Sequence, residues 1–224
     1  MFINNILIIG DTHLPFELDG YLDFCRKTQE RFKCTKVFHI GDVVDHHSIS
    51  RFDRDPDGFS PRAEYEKTMD KLRKWFKAFP DCGVCIGNHD ERIERLCLQY
   101  NISSIYFKTL PELYEFPKTW KYNMDYYIYG VRIFHGMGYG GVAAHKMACV
   151  ENQMSIAMGH LHANFGTWFT ANQNRLNFGL AVGCGVNWKS YAFRYGRDMR
   201  RKPIIGCGVI YDGGFEATAV PMRL

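Results

Sequence analysis

The sequence predicts one α/β domain spanning residues 1–224, a two-sheet β-sandwich flanked by helices with no separate capping domain. Three observations predict it. The first two-thirds of the chain alternates short apolar runs with longer amphipathic ones, the β-α-β pattern of an α/β sheet. From about residue 122 the texture changes to aromatic and β-branched residues broken by glycine, which reads as mostly antiparallel strands and hairpins of a second sheet. No repeat, low-complexity tract or linker separates the two textures, and a chain of this length fills one core.

Ile6 to Ile9 is an all-apolar run, as a strand buried on both faces requires. Tyr21, Cys25, Thr28 and Phe32 recur at helical spacing before the next strand, Val37-Phe38-His39-Ile40. The clearest helix has Ser60 as N-cap and Pro61 at its first position. It carries Tyr65, Met69, Leu72, Phe76 and Phe79 on one face and stops at Pro80. A strand from Gly83 to Ile86 precedes a helix from about Glu91 to Tyr100, expected to face inward with Ile93, Leu96, Cys97 and Tyr100. Residues 126–134 and 204–211 read as strands, with a hairpin closing at Asp212-Gly213-Gly214 and one helix around Val142 to Val150.

Composition narrows the class: 46% apolar, 15% aromatic and 23% charged residues exclude a disordered chain. The N-terminus lacks a basic lead and a cleavage site, and no stretch approaches the roughly 18–20 apolar residues of a membrane span. A cytoplasmic protein without membrane contact is expected. The eight cysteines lie scattered through apolar segments, and the lone pair Cys82 and Cys85 falls inside a strand without a second pair, so they read as reduced core thiols. The net charge of +4 is uneven: residues 1–112 hold 16 Lys and Arg against 18 Asp and Glu, and residues 113–224 hold 12 against 6. That asymmetry suits an anionic substrate.

The ionisable residues fall at strand ends. Asp11 and His13 follow the first strand, Asp42 the second, Asn88 and His89 the third, His135 the strand ending at Phe134, and His160 and His162 the run from Ser155 to Gly159. Open α/β sheets bind ligands beyond the carboxyl ends of their strands, so the five ends are expected to converge. In extended chain the i, i+2 pairs Asp11/His13 and His160/His162 would each point one way. A single such residue is more often a turn, a cap or a satisfied core group, and His39 is read so.

Asp11-Thr12-His13, Gly41-Asp42-Val43-Val44-Asp45, Gly87-Asn88-His89-Asp90, His135-Gly136 and Gly159-His160-Leu161-His162 resemble the five motifs of calcineurin-like metallophosphoesterases. The resemblance implies an enzyme with two divalent metal ions, Mn²⁺ first, with Fe or Zn as alternatives, bridged by Asp42. Asp11, His13 and His162 would complete one site, and Asn88, His135 and His160 the other. It further implies a metal-activated hydroxide attacking phosphorus, His89 as general acid and Asp45 as its carboxylate partner.

Substrate is less determined. Protein serine/threonine phosphatases of the family carry Arg-Gly after the second Asp, where this chain has His46-His47, so Arg51 and Arg92 become candidate substitutes for gripping substrate phosphate. Only 62 residues follow His162, too few for the capping domain of the family's repair nucleases. They include Trp188-Lys189-Ser190-Tyr191-Ala192-Phe193-Arg194-Tyr195-Gly196-Arg197 and then Arg200, Arg201 and Lys202, an aromatic and basic interleaving that suits a nucleotide or single-stranded nucleic acid. The segment from Gly41 to Gly58, including Phe52 and Asp53, and Asn88-His89-Asp90-Glu91-Arg92 are similar to small stand-alone phosphoesterases of bacterial viruses, which would place the chain in a host cytoplasm. The expected partner is a phosphate ester, with a nucleotide or nucleic-acid phosphodiester as first choice. A phosphomonoester and a catalytically silent scaffold are the alternatives.

Overall fold

Strand β1 (Asn5–Ile9) is buried along its whole length, and its side chains alternate between two cores. Leu7 and Ile9 join one apolar cluster, Ile6 and Ile8 another. A strand apolar on both faces must be covered on both, and the rest of the chain supplies the covers. The computed structural model describes residues 4–51, 54–196 and 200–223, with the backbone alone at 194–196 and 212. Phe52, Asp53 and Arg197, singled out from the sequence, lie outside the described residues, as do the side chains of Arg194 and Tyr195.

After β1 come α1 (Tyr21–Arg31), β2 (Cys34–His39), α2 (Pro61–Ala78), β3 (Cys82–Cys85), α3 (Arg92–Gln99), α4 (Leu110–Leu113) and β4 (Trp120–Asn123). Then follow β5 (Asp125–Ile128), β6 (Val131–Phe134), α5 (Ala144–Asn152), β7 (Ser155–Met158), β8 (Phe165–Ala171), β9 (Leu176–Val182), β10 (Gly206–Ile210) and β11 (Ala217–Pro221). One sheet has six strands in the order β11-β10-β1-β2-β3-β4, the other five in the order β5-β6-β7-β9-β8. The helices α1 and α2 cover the first sheet through Tyr21, Cys25, Met69, Leu72 and Trp75. Phe38, Ile133, Phe178, Leu180 and Ile210 fill the space between the sheets. Ala148 and Cys149 of α5 pack on Ile156 and Met158 of the second sheet. The result is the predicted helix-sheet-sheet-helix sandwich.

Local signals are realised where they are strongest. The Ser60 hydroxyl accepts from the Ala63 amide at 3.3 Å and starts α2 with Pro61 in its first turn. The apolar face of α2 is centred on Met69, Leu72 and fully buried Trp75, while Tyr65 and Phe76 are half-buried. All eight cysteines are free thiols. Cys82 and Cys85 sit in different cores on opposite faces of β3, so they share no ligand position. Among the described residues, no helix is long and apolar enough to cross a membrane.

Three expectations are corrected. The helix after β3 does not face a core: Ile93, Leu96 and Cys97 are only half-buried and Tyr100 is 69% exposed, because no layer of the sandwich lies over α3. The second sheet is not mostly antiparallel, since β6, β7 and β9 run parallel at its centre and only β5 and β8 pair antiparallel at its edges. Finally, the strands β10 and β11 return to the first sheet, where β10 lies antiparallel to β1. Gly208 leaves room on β10 for Leu180 and Val182 of the second sheet, which permits close packing there.

Candidate metal centre

The parallel strands β1, β2 and β3 of one sheet and β6 and β7 of the other end at a common edge, and each delivers polar side chains there. Backbone bonds hold the exits together: His13 N–H donates to Asp42 O at 2.9 Å and Gly159 N–H to His135 O at 3.0 Å. Two glycines allow the approach. A Cβ on Gly87 would fall inside contact distance of Asp42 Oδ1, and one on Gly159 inside that of Asp11 Oδ1.

His13, Asp42, His46 and His160 all have positive φ, between 47° and 66°. Left-handed backbone in non-glycine residues costs of order 1–3 kcal/mol each and persists where surrounding structure enforces it. It also corrects the extended-chain argument from i, i+2 spacing, because His13 and His160 sit in turns. His160 and His162 accordingly separate into different groups.

Candidate ligand atoms lie within 4.8 Å of one another in three sets: Asp11, His13 and His162; Asp42, His135 and His160; and His13, Asp42 and His89. Asp42 stands between the first two, with Oδ2 3.5 Å from His13 Nε2 and 3.2 Å from His135 Nε2. Asn88 joins the second, its Oδ1 3.2 Å from His135 Nε2. The structure thus brings together all seven side chains singled out as ligands from the sequence.

Hydrogen bonding shows that these atoms fit a cation. His135 Nδ1 lies 3.1 Å from the Ile40 carbonyl, which only accepts, so Nδ1 carries the proton and the Nε2 lone pair faces two acceptor oxygens. His13 repeats the pattern: Nδ1 donates to Asp45 Oδ1 at 2.6 Å while Nε2 faces His162 Nε2 at 3.1 Å. Asp11 is fully buried, and its Oδ1 has no hydrogen-bond partner among the described residues. Such an atom is costly unless a cation or donor completes it. In the metal-free protein a proton substitutes at one point: burial opposes a charge on His135, but the Asp42 carboxylate overcomes it and raises the ring to about 9. Burial pushes the Asp42 carboxyl up, and His135 and His89 more than reverse this, holding it well below the carboxylate range. Carboxylate, amide and imidazole donors without thiolate suit manganese, iron or zinc in an open site.

Around this cluster the structure redistributes the predicted roles. Asp45 Oδ1 meets both His13 Nδ1, at 2.6 Å, and His89 Nδ1, at 3.1 Å, so one carboxylate orients a ligand candidate and the acid candidate together. His89 Nδ1 also lies 2.9 Å from the Asp45 carbonyl, leaving Nε2 for the cavity. Burial disfavours the charged form of His89, but Asp42 and Asp45 outweigh it and raise its pKa. Arg92, expected to meet substrate, is turned inward: Nη1 donates to the Asp45 and His46 carbonyls at 2.8 and 2.9 Å. Its Nη2 lies 3.0 and 3.2 Å from the two ring nitrogens of His89, against the face of the ring. Arg51, the other substrate candidate, lines a separate cavity with Arg54, Pro56 and Phe59, because residues 47–49 form a short 3-10 turn that directs the chain away. His39 is a satisfied core residue, bonded to Thr12 Oγ1 at 3.0 Å and to the Gly41 amide at 3.2 Å.

Two positioning carboxylates escaped sequence reasoning. Buried Asp90 accepts from the Val44 and Gly87 amides at 3.2 and 3.0 Å, tying the loop after β2 to the loop after β3. Burial, with the charge of Asp42, raises it to about 7. Buried Glu64 of α2 accepts from the His47 and Ser48 amides, both at 2.7 Å. An acidic residue on the apolar face of a helix was the available signal for Glu64.

The cluster opens into a cavity of about 350 Å³ lined by His13, Asp42, Asn88, His89, His160 and His162 together with Trp188, Phe193, Arg201 and Pro203. Among the described residues, the arginine lining this cavity is Arg201, from the C-terminal basic run.

Solved structures with a similar fold are known. A metallophosphoesterase from Sphaerobacter thermophilus shares the fold, with 12% identity, coverage of 99% of this chain and 89% of that one, and a TM-score of 0.51. Vacuolar protein sorting 29 from Cryptosporidium parvum matches with 14% identity, coverage of 94% and 86%, and a TM-score of 0.47. The phosphoesterase Yfce from E. coli matches with 14% identity, coverage of 92% and 87%, and a TM-score of 0.42. A search of curated protein sequences finds no match. The family profile described as calcineurin-like phosphoesterase matches residues 5–190, and the chain belongs to that family.

Proposed function

We propose that the chain is a phosphoester hydrolase using two divalent cations, and that phosphodiesters of nucleotides or nucleic acid are its substrates. The observation that supports this most is the convergence of acceptor atoms from five strand ends, including the unpartnered Asp11 Oδ1 and the paired Nε2 atoms of His13 and His162. Asp11, His13, His162 and Asp42 would hold one cation, and Asp42, Asn88, His135 and His160 the other. Divalent cations held by these residues would supply Lewis-acid polarisation of phosphoryl oxygens and lower the pKa of a bound water. His89, anchored through Nδ1, presents Nε2 to the cavity and gives its proton to the leaving oxygen. Asp45 fixes the ring for that transfer.

The test is hydrolysis of bis-p-nitrophenyl phosphate and p-nitrophenyl phosphate with manganese, with and without EDTA, alongside elemental analysis. Two ions per chain and a chelator-sensitive rate on the diester are expected. A preference for the monoester would move the assignment to a phosphatase. A manganese-loaded protein inert on both substrates would make the chain a scaffold.

A further inference from the structure

We propose that Arg201 and Trp188, which line the same cavity as the ligand cluster, form the subsite for a nucleotidyl phosphodiester: Arg201 grips a phosphate oxygen and Trp188 stacks on the base. This rests on the hydrolytic reading above and names its substrate class.

Arg201 is set in place. Its Nη2 donates to the Ala163 carbonyl at 2.5 Å and to Asn164 Oδ1 at 2.9 Å. Asn164 is itself buried and donates through Nδ2 to the Gly141 carbonyl at 2.9 Å, which fixes the direction of its oxygen. Ala163 and Asn164 directly follow His162, and the Ile204 amide donates to the His162 carbonyl at 2.9 Å. The guanidinium is therefore held on the same loop that carries two metal-ligand candidates. Both of its bonds use one corner of a planar group with five N–H donors, whose fork matches phosphate oxygens.

The aromatic part of the wall completes the match. Trp188 is 37% exposed at the cavity, with Lys189 Nζ 5.7 Å and Lys202 Nζ 6.0 Å from its ring. Phe193, which lines the same cavity, is buried and meets the rings of His13 and His162 edge-on at 5.4 and 6.3 Å. An exposed indole can stack on a base in place of the lysine ammonium groups over its ring, and those ammonium groups then favour the adjoining phosphate. The cavity volume lies in the small-ligand range of about 300–1,000 Å³, the scale of one nucleotide unit of a single strand.

The experiment compares thymidine 5′-(p-nitrophenyl phosphate) with methyl p-nitrophenyl phosphate, which share a leaving group and differ in the nucleoside. Trp188→Ala should lower the ratio of kcat/KM for the thymidine ester to that for the methyl ester by roughly 5- to 100-fold, and Trp188→Phe should restore most of it. Arg201→Met should raise KM for both esters, and Arg201→Lys should recover part of the loss. An unchanged ratio in Trp188→Ala overturns the stacking role, and an unchanged KM in Arg201→Met overturns the phosphate role. A second arm needs no turnover: dTMP is titrated by calorimetry into EDTA-treated protein, wild type and both variants. Weaker binding in each variant supports the subsite even if hydrolysis fails, whereas absent binding or equal binding throughout overturns it whatever the rates.

Discussion

The strand-end cradle and the aromatic and basic wall of the cavity beside it are built on different principles. In the cradle Asp11, His13, Asp42, Asp45 and His135 are at most 2% exposed, and their polar atoms are directed by carbonyls, carboxylates and amides from other strand ends. In the wall Trp188 is over a third exposed, and the segment from 200 to 204 docks through three hydrogen bonds to residues 162–164. Chemistry that needs atoms fixed within fractions of an ångström belongs to the first environment. On the proposed reading, recognition of substrate falls to the second, where exposed Trp188 and the 200–204 segment can vary with less effect on the core.

Substitutions can break or sharpen this contrast. The largest effect is expected for His89→Asn, which should lower turnover by roughly 10²- to 10⁴-fold with two manganese ions retained per chain by elemental analysis. Equal loss of metal and activity would make His89 a ligand instead. Leu72→Ala, in the core beneath the first sheet, should destabilise the fold by about 2–5 kcal/mol in urea titration while folded protein keeps its metal content. Lost metal in the folded fraction would show that the cradle depends on helix packing at a distance. Asp45→Asn should weaken metal binding by roughly 10- to 100-fold in chelator competition, because it removes the negative charge that orients His13 and replaces one carboxylate oxygen by an amide donor. If only turnover falls, Asp45 serves His89 alone. The smallest effect belongs to the wall: Lys189→Ala should change single-stranded oligonucleotide affinity little but reduce the slope of log affinity against log salt by at most about 1. A flat salt response in wild type would remove nucleic acid as the ligand.

Much of the cradle was legible because its residues sit at the ends of apolar runs, and a strand end is a local property. The β1 pattern alone predicts burial on both faces, and Ser60 with Pro61 marks the start of α2 to the residue. Where the reading failed, the deciding neighbour was remote in sequence. The stripe Ile93, Leu96, Cys97 and Tyr100 has core periodicity, but burial needs a covering layer, and none lies over α3. The strands β10 and β11 carry the texture of the second sheet yet pair with the first, because β1 offers a free edge there.

The sequence by itself determined which side chains can bind a cation and that strand ends would deliver them, since residue chemistry and strand period are carried by neighbours along the chain. Only the tertiary structure decided that Asp45 serves two histidines, that His13 and His160 sit in left-handed turns, and that Arg92 turns inward while Arg201 lines the cavity. Those outcomes depend on left-handed turns and on hydrogen bonds between segments up to 149 residues apart, whose geometry exists only once both sheets have closed on each other.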